Sequence, residues 1–459
     1  MTNQRRRFLK TAALGAGIVA AGSIARAESA QAAKLPEILE QANKNHGTQA
    51  QNMCGFAAPK IEQVRVGIIG LGHRGNRAVA RMAQIKGATI VALCDLIPAR
   101  VKTQQATLKK YKQPVAKEFS GGDGWKQMCE MENLDLVYIA TPWRLHTPMA
   151  VHAMESGKHA AVEVPAATTI EECWQLVNTS ERTKKHCMQL ENCCYDNFEM
   201  LTLNMTRKGV FGELVHAEAA YIHQLVHQFT VPFYQGKWRL KQNIARNGNL
   251  YPTHGLGPVS QCMNINRGDQ YAYITSMSSL DVTLGPAIKR KLKDSPYAKS
   301  EQFRGNMNTS LIKTANGKTI MVQHDISSPR PYSRIHLLSG SKGMARKYPA
   351  EMIALGHKAT TGKALVSLKK KYAHPLSRRM AKAAKSLGGH GGMDGIMDSR
   401  LIECLQKGLP LDQDVYDAAA WSSIGPLSEW SVANRSNSID IPDFTRGAWK
   451  KNKPLAIIE

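Results

Sequence analysis

The sequence predicts an α/β protein: an N-terminal doubly wound parallel sheet, then a second α+β domain with a mostly antiparallel open sheet. Three observations predict it. Short β-branched runs alternate with helical spacing from Val64 to about residue 190. A glycine turn joins the first of these strands to the first helix. Beyond 190 the segments lengthen and alternate with period two, with few helices between them.

Taken in order, "VRVGIIG" is a strand, "RAVARMAQI" a helix, "ATIVALCD" a strand and "PARVKTQQATLKKY" a helix. "LDLVYIATP", "TPMAVHAMESG" and "HAAVEVP" continue the alternation, and "TIEECWQLVNTSERTK" is an amphipathic helix opened by threonine with acids in its first turn. The ligand crevice of such a sheet lies at the carboxyl ends of its strands. "ELVHAEAAYIHQ", "AYITSMSSLDVTL", "TSLIKTANGKTIMVQHDI" and "SRIHLLSGSKGMA" are the strands of the second domain, and "MDGIMDSRLIECLQKG" and "DVYDAAAWSSIGPLSEWSVAN" are late helices. The chain divides into residues 1–33, a lead-in arm 34–60, the parallel-sheet domain 61–190 and the second domain 191–459.

Residues 1–33 read as an export signal. Arg5-Arg6 with Arg7-Phe8-Leu9-Lys10 fits the twin-arginine pattern, followed by an apolar stretch and small-residue cleavage sites around Ala27 and Ala32. That stretch is too short and glycine-rich to span a bilayer. The expected location is periplasmic or secreted, with the twin-arginine export machinery as a partner. Nine scattered cysteines without CxxC spacing argue against a disulfide framework and against structural zinc, so no metal is expected. The formal charge of +25 concentrates in 289–293 and 369–385. Neither run interleaves aromatics as a nucleic-acid surface would, and both read as solvated surface rather than a dock for acidic glycans, nucleic acid or phospholipid.

Gly70-Leu71-Gly72-His73-Arg74-Gly75 fits GxGxxG between a strand and a helix, and Asp95 closes the next strand twenty positions after Gly75. That context makes the motif a dinucleotide site. Gly70 permits the turn, Gly72 admits a pyrophosphate, and the helix start offers N–H groups to it. Asp95 would accept ribose hydroxyls and repel a 2′-phosphate, favouring NAD over NADP. Trp143 and His146 lie just past the third strand, where the crevice belongs. Tyr221, Tyr332 and His254 taken singly are bland, but "NGNLYPTHGLGP" reads as an irregular loop that gathers Tyr251, Thr253 and His254.

These features together with "IATP…H" and Glu163-x-Pro resemble the Gfo/Idh/MocA oxidoreductases. "GLGHRG", "PWRLH", "VEVPAATTIEECW", "LENCCYDN", "KWRLKQNIARNGNLYPTHGLGP", "GGHGGMD" and "PLSEWSVANRSNSIDIPDFTRGAW" resemble one subgroup, glycoside hydrolase family 109, the NAD-dependent α-N-acetylgalactosaminidases, from about residue 60 to the end. The resemblance implies NAD contacts at His73, Arg74, Asp95, Trp143, Arg144, Leu145, His146, Glu163, Val164, Asn192 and Tyr251. It implies sugar contacts at Tyr221, Arg239, Tyr251, Pro252, Thr253, His254 and Tyr332, and places Tyr195 near the reacting centre.

At the usual Glu-Lys-Pro signature this chain has Glu163-Val164-Pro165. A dehydrogenase uses that lysine as a base whose proton leaves for solvent. A glycosidase that oxidises carbon 3 only transiently, eliminates the aglycone, adds water and recovers its hydride can draw its base from elsewhere. His254 is then the expected catalytic base for the carbon-3 hydroxyl, with Tyr195 or Tyr251 handling protons at carbon 2 or the leaving oxygen. The cofactor would be NAD, tightly bound and recycled, and the substrate a glycan; no nucleic-acid partner is expected and a homo-oligomer stays open. The competing readings are a periplasmic NAD-dependent sugar dehydrogenase and a non-catalytic sugar-binding relative.

Overall fold

In a computed structural model the described residues are 36–456, so the expected export signal lies outside them. Six parallel strands form the first sheet: β1 (Val64–Ile69), β2 (Ala88–Asp95), β3 (Lys117–Ser120), β4 (Leu136–Ile139), β5 (His159–Val162) and β6 (Cys187–Gln189). Their order is β3-β2-β1-β4-β5-β6. Every residue of β4 and β5 is buried, as expected of strands covered by helices on both faces. The order reverses between β1 and β4, so the crevice opens at their carboxyl ends, beside Gly70 and Thr141.

The second sheet has nine strands: β7 (Leu214–Ile222), β8 (Tyr271–Ser278), β9 (Met307–Thr314), β10 (Thr319–Asp325), β11 (Leu337–Gly340), β12 (Gly343–Arg346), β13 (Met352–Leu355), β14 (Lys358–Thr360) and β15 (Ile439–Asp440). The order is β14-β13-β12-β11-β7-β10-β9-β8-β15, antiparallel throughout except for the parallel pair β7–β10. The helix Val415–Ala433 packs on β8 and on Ile170–Thr183, tying the two domains together. Both helices start with a capping box, Asp414 with Asp417 and Thr169 with Glu172. The lead-in arm is fastened to the core: His46 stacks on Trp174 at 4.2 Å and Gln49 donates to the Tyr416 hydroxyl at 2.6 Å.

The second domain holds more helix than its sequence suggests. The expected irregular loop holds as far as Pro252, and from Thr253 to Cys262 the chain is an α-helix instead. Its glycines, which read as loop residues, serve close packing: a Cβ on Gly255 would lie 2.4 Å from the Ala220 nitrogen of β7, and one on Gly257 3.0 Å from Glu191. Three further helices, Gly362–Tyr372, Pro375–Arg379 and Ala381–Leu387, carry the second basic run. All nine cysteines are free and eight are buried, as small apolar residues would be. No helix among the described residues is long and apolar enough to cross a membrane.

A separate apolar cluster joins the domains at the crevice. Trp143 and Val164 come from the parallel sheet, and Tyr221, Leu225, Leu250 and Tyr251 from the second domain.

Candidate active site

The glycine turn is shaped for a dinucleotide. Gly70 sits at φ +87°, where a Cβ would lie 2.7 Å from the Ala140 oxygen, and a Cβ on Gly75 would lie 1.7 Å from the Gly70 oxygen. Neither position admits another residue. At Gly72, by contrast, an added Cβ meets only Arg100 at 3.7 Å, which leaves room for a ligand against the backbone. The helix His73–Met82 begins without a side-chain cap, so its first N–H groups remain for an anion. Asp95 is buried at the end of β2 and accepts the Leu71 N–H at 2.7 Å and the Ile97 N–H at 2.9 Å, with Arg100 at 3.5 Å. These residues fit NAD: a carboxylate fixed in place at the ribose position and an uncapped helix start at the phosphate position. The second domain reaches over this turn, with Phe233 against His73 at 4.5 Å between ring centroids and Gln235 at 3.4 Å from Arg100.

Arg74 crosses the crevice mouth. Its guanidinium donates to Glu163 at 2.5 Å and to both oxygens of Asp394, at 2.8 and 3.1 Å. Asn192 donates to the same Asp394 at 2.6 Å, and His390 lies 2.8 Å from it. Although burial opposes ionisation, the His390 hydrogen bond and the charges of Arg74 and Arg81 hold the Asp394 carboxyl far below its ordinary value. Two expected NAD contacts, Arg74 and Asn192, thus share one buried anion that is not among the expected site residues. "GGHGGMD" contained it, but a contact across 320 positions leaves no spacing signal.

Deeper in, aromatic rings line the pocket. Tyr221 lies against Tyr251 (4.8 Å between centroids) and His254 (5.4 Å), and Tyr251 stacks on Trp143 at 5.7 Å. Arg239 is buried with its guanidinium over Tyr251 (4.7 Å) and Trp143 (5.3 Å). One nitrogen donates to Tyr234 at 2.9 Å; Nε and the other terminal nitrogen have no partner among the described residues. Buried donors left open in this way are available to a ligand or to water. Tyr332, half exposed, stands at the rim 5.0 Å from His223.

His254 opens the helix Thr253–Cys262, with Pro252 at its N-cap and Thr253 fully buried. Its Nδ1 lies 2.8 and 3.0 Å from the two oxygens of Glu191, which also accepts the Cys193 N–H at 3.0 Å. Burial alone would raise the Glu191 pKa, but the charge and hydrogen bond of His254 outweigh it and hold the carboxyl below its usual range. Glu191 therefore fixes the imidazole so that Nε2 is the atom left for a substrate. His223 is a second missed residue: its Nδ1 is 2.9 Å from the Tyr221 hydroxyl. Burial first, then Arg239 and His254, lower its pKa to about 4, so it is neutral near pH 7. Burial also raises Tyr221 to about 12 and Tyr251 well above the phenol value, so both hydroxyls stay protonated.

The remaining expected residues divide. Val164 is buried against the aromatic cluster. Arg144 is exposed and Leu145 half-buried in the short helix Trp143–Leu145. His146 points both ring nitrogens at backbone carbonyls, Pro165 and Thr141, each at 2.7 Å, so it ties two crevice loops together and presents no free nitrogen. Tyr195 does not join the reacting centre. Its hydroxyl meets Asp412 at 3.3 Å in a small cavity with His374 and Leu376, and burial with the Asp412 charge drives its pKa well above normal. The short helix Asn192–Tyr195 sends Asn192 to Asp394 and Tyr195 elsewhere. Glu191, Cys193 and His254 bring a carboxylate, a thiol and an imidazole within 4.8 Å of one another. The His254–Glu191 bond occupies two of these, and burial keeps the Cys193 thiol protonated, so the set does not suit a cation.

Residues 64–190 match the oxidoreductase family with a NAD-binding Rossmann fold, and residues 195–451 match the glycosyl hydrolase 109 C-terminal domain. An alpha-N-acetylgalactosaminidase of Bacteroides fragilis is 48% identical over 408 residues, 87% of this chain and 96% of that protein. A glycosyl hydrolase family 109 protein of Porphyromonas gingivalis is 47% identical over 454 residues, 95% of each chain. Among solved structures, a NAD binding oxidoreductase from Klebsiella pneumoniae aligns with TM-score 0.63 at 16% identity, covering 83% of this chain and 100% of that one. Levoglucosan dehydrogenase in complex with NADH and levoglucosan aligns at 0.62, with 16% identity and the same coverage. Those two likenesses are of fold alone; with the sequence matches and the cofactor crevice, they identify the chain as a NAD-binding glycosidase of the glycosyl hydrolase 109 family.

Proposed function

We propose that the protein releases terminal α-linked N-acetylgalactosamine from glycans, with NAD held in the crevice and restored in every turnover. The Bacteroides fragilis relative motivates the sugar. The observation that carries the chemistry is the pairing of His254 with Glu191 in a pocket that offers no free carboxylate pair among the described residues. Glu191 is occupied by His254 and Glu163 by Arg74. Ordinary glycosidases need two carboxyl groups flanking the glycosidic bond; both carboxylates here are engaged in holding other side chains.

Bound NAD supplies a hydride acceptor at carbon 3 that later returns the hydride. His254 takes the proton of the carbon-3 hydroxyl through Nε2, and Glu191 stabilises the imidazolium that forms. The carbon-3 ketone acidifies the carbon-2 hydrogen. His223, held 2.9 Å from the Tyr221 hydroxyl, is the candidate to receive that proton. Tyr251, protonated beside Arg239, is suited to donate to the leaving oxygen. The unpartnered nitrogens of Arg239 would orient the sugar. Water then adds at carbon 1, a proton returns to carbon 2, and the ketone is reduced. The covering contacts Phe233–His73 and Gln235–Arg100 support retention of the cofactor.

Product formed in deuterated water should carry deuterium at carbon 2, with no NADH accumulating in solution. Hydrolysis without that exchange would eliminate the route, and stoichiometric release of keto-sugar and NADH would make the protein a dehydrogenase. The twin-arginine head supports export of the folded protein with NAD inside. Replacing Arg5 and Arg6 by Lys should trap the precursor in the cytoplasm; normal export of that variant would refute it.

A further inference from the structure

Between Glu351 and Asp394 the chain holds nine Lys and Arg residues and no Asp or Glu. Two are neutralised, Lys369 by Glu351 and Arg379 by Glu403. Lys363, Lys370, Lys371, Arg378, Lys382 and Lys385 are exposed on the three helices from Gly362 to Leu387 and have no ion-pair partner among the described residues. The apolar sides of these helices are already used. Leu365, Leu368, Tyr372, Ala384 and Leu387 pack against the core, and Val366 is the one large apolar side chain left exposed. The face can therefore neither insert into a bilayer nor stack bases. It offers charge alone.

The face ends at the site. The helix Ala381–Leu387 packs on the turn 388–392 and the start of the helix Met393–Lys407, where a Cβ on Gly392 would lie 2.9 Å from Ala384 and one on Gly395 2.9 Å from Leu387. That turn carries His390, half exposed, 3.3 Å from Arg74 and 2.8 Å from Asp394 at the crevice mouth. Like charges displayed together without counter-ions repel one another and raise the local concentration of anions.

We propose that this face binds carboxylate or sulfate groups on the glycan or glycopeptide whose terminal sugar occupies the pocket. The proposal rests on the glycosidase reading above and adds an acidic character to its substrate. The charges act by steering and holding the chain that leads from carbon 1, not in the bond-breaking step.

The test uses the full-length protein purified with its NAD and three substrates sharing one terminal α-N-acetylgalactosamine: a small neutral chromogenic glycoside, a neutral glycopeptide, and the same glycopeptide with several sulfated or carboxylated residues beside the sugar. At low salt the acidic glycopeptide should have the higher kcat/KM, by about fivefold or more, as several weak exposed pairs together would give. About 1 M salt should erase the difference, because screening then acts within ~3 Å. The variant K370E/K371E/K382E/K385E should lose or invert the preference while cleaving the small glycoside at the wild-type rate. Should that variant fold poorly, Lys→Ser at the same four positions serves, and the wild-type salt series needs no variant. Equal kcat/KM on both glycopeptides, or a preference that survives high salt and charge reversal, overturns the proposal. Tighter binding to anionic vesicles or duplex DNA than to the acidic glycopeptide overturns it as well. Failure to cleave even the small glycoside would instead strike the glycosidase reading, a separately visible result.

Discussion

Replacing Gly255 by alanine sets helix propensity against packing, and the distances decide which wins. Alanine inside a helix gains about 0.5–1 kcal/mol over glycine. The new Cβ, however, would stand 2.4 Å from the Ala220 nitrogen and 2.6 Å from its oxygen. Ordinary contact is about 3.5 Å, so the helix Thr253–Cys262 must move off β7 by about 1 Å. Overpacking of this kind costs about 1–3 kcal/mol, which outweighs the propensity gain. The shift also carries His254 away from Tyr221, which lies on β7 next to Ala220. A displacement of about 1 Å can cost about 10²-fold in rate. Steady-state kinetics on an α-N-acetylgalactosaminide, with thermal unfolding alongside, should show G255A still folded, a few degrees less stable and about 10²-fold slower. Gly122→Ala, with nothing within 4 Å of the added Cβ, is the control and should behave as wild type. A G255A enzyme within threefold of wild type would show that the helix does not set the geometry of the site.

Four other outcomes are expected. His254→Ala should fold and keep its NAD but lose about 10²–10⁴ in kcat; unchanged activity would remove it from the chemistry. Tyr195→Phe should keep its kcat and lose only about 1 kcal/mol of stability with the Asp412 bond, measured by urea unfolding; a large fall in kcat would return Tyr195 to the reacting centre. Protein as isolated should release NAD and not NADP on denaturation, and Asp95→Ala should lose NAD on dialysis; native NADP would contradict the ribose role of Asp95. Stability should decline as pH falls from about 6.5 to about 4. Burial lowers His186 and His374 to about 4 and His159 and His336 to about 3, so over that range the unfolded chain takes up protons these folded imidazoles refuse. Each histidine contributes up to about 1.4 kcal/mol per pH unit. Chemical unfolding at three pH values that showed a flat profile would refute it.

The parallel-sheet half was legible because two signals coincide in it: buried β-branched runs of strand length and a glycine turn whose spacing is set by backbone contact. The second domain was less so. Gly255 and Gly257 look like loop residues in the sequence, yet Gly255 lets the helix carrying His254 lie on β7 and Gly257 lets it pass close to Glu191. Glycine reports a close approach without saying to what. Tyr195 was misplaced because it neighbours Asn192 in sequence, whereas one short helical turn sends the two side chains to Asp412 and Asp394. Glu191, His223 and Asp394 went unnoticed for a related reason. Their meaning lies in partners 63, 2 and 320 positions away, and only folding brings the distant ones together.

Val164 gains a physical explanation from its surroundings. It is buried in the same cluster as Trp143 and Tyr251, and these two rings carry the Arg239 guanidinium. A lysine at 164 would add a second buried cation to a cluster beside Arg239, two of whose nitrogens lack partners among the described residues. An unpaired buried ammonium is costly and would discharge its proton. A dehydrogenase exploits that discharge, because each turnover sends a proton to solvent. In the proposed cycle the base is the His254 imidazole, already fixed by a buried carboxylate, Glu191. It can hold a proton through the elimination and return it when the carbon-3 ketone is reduced. On the proposed redox-neutral cycle, a valine at the lysine position of the signature would leave that proton with His254.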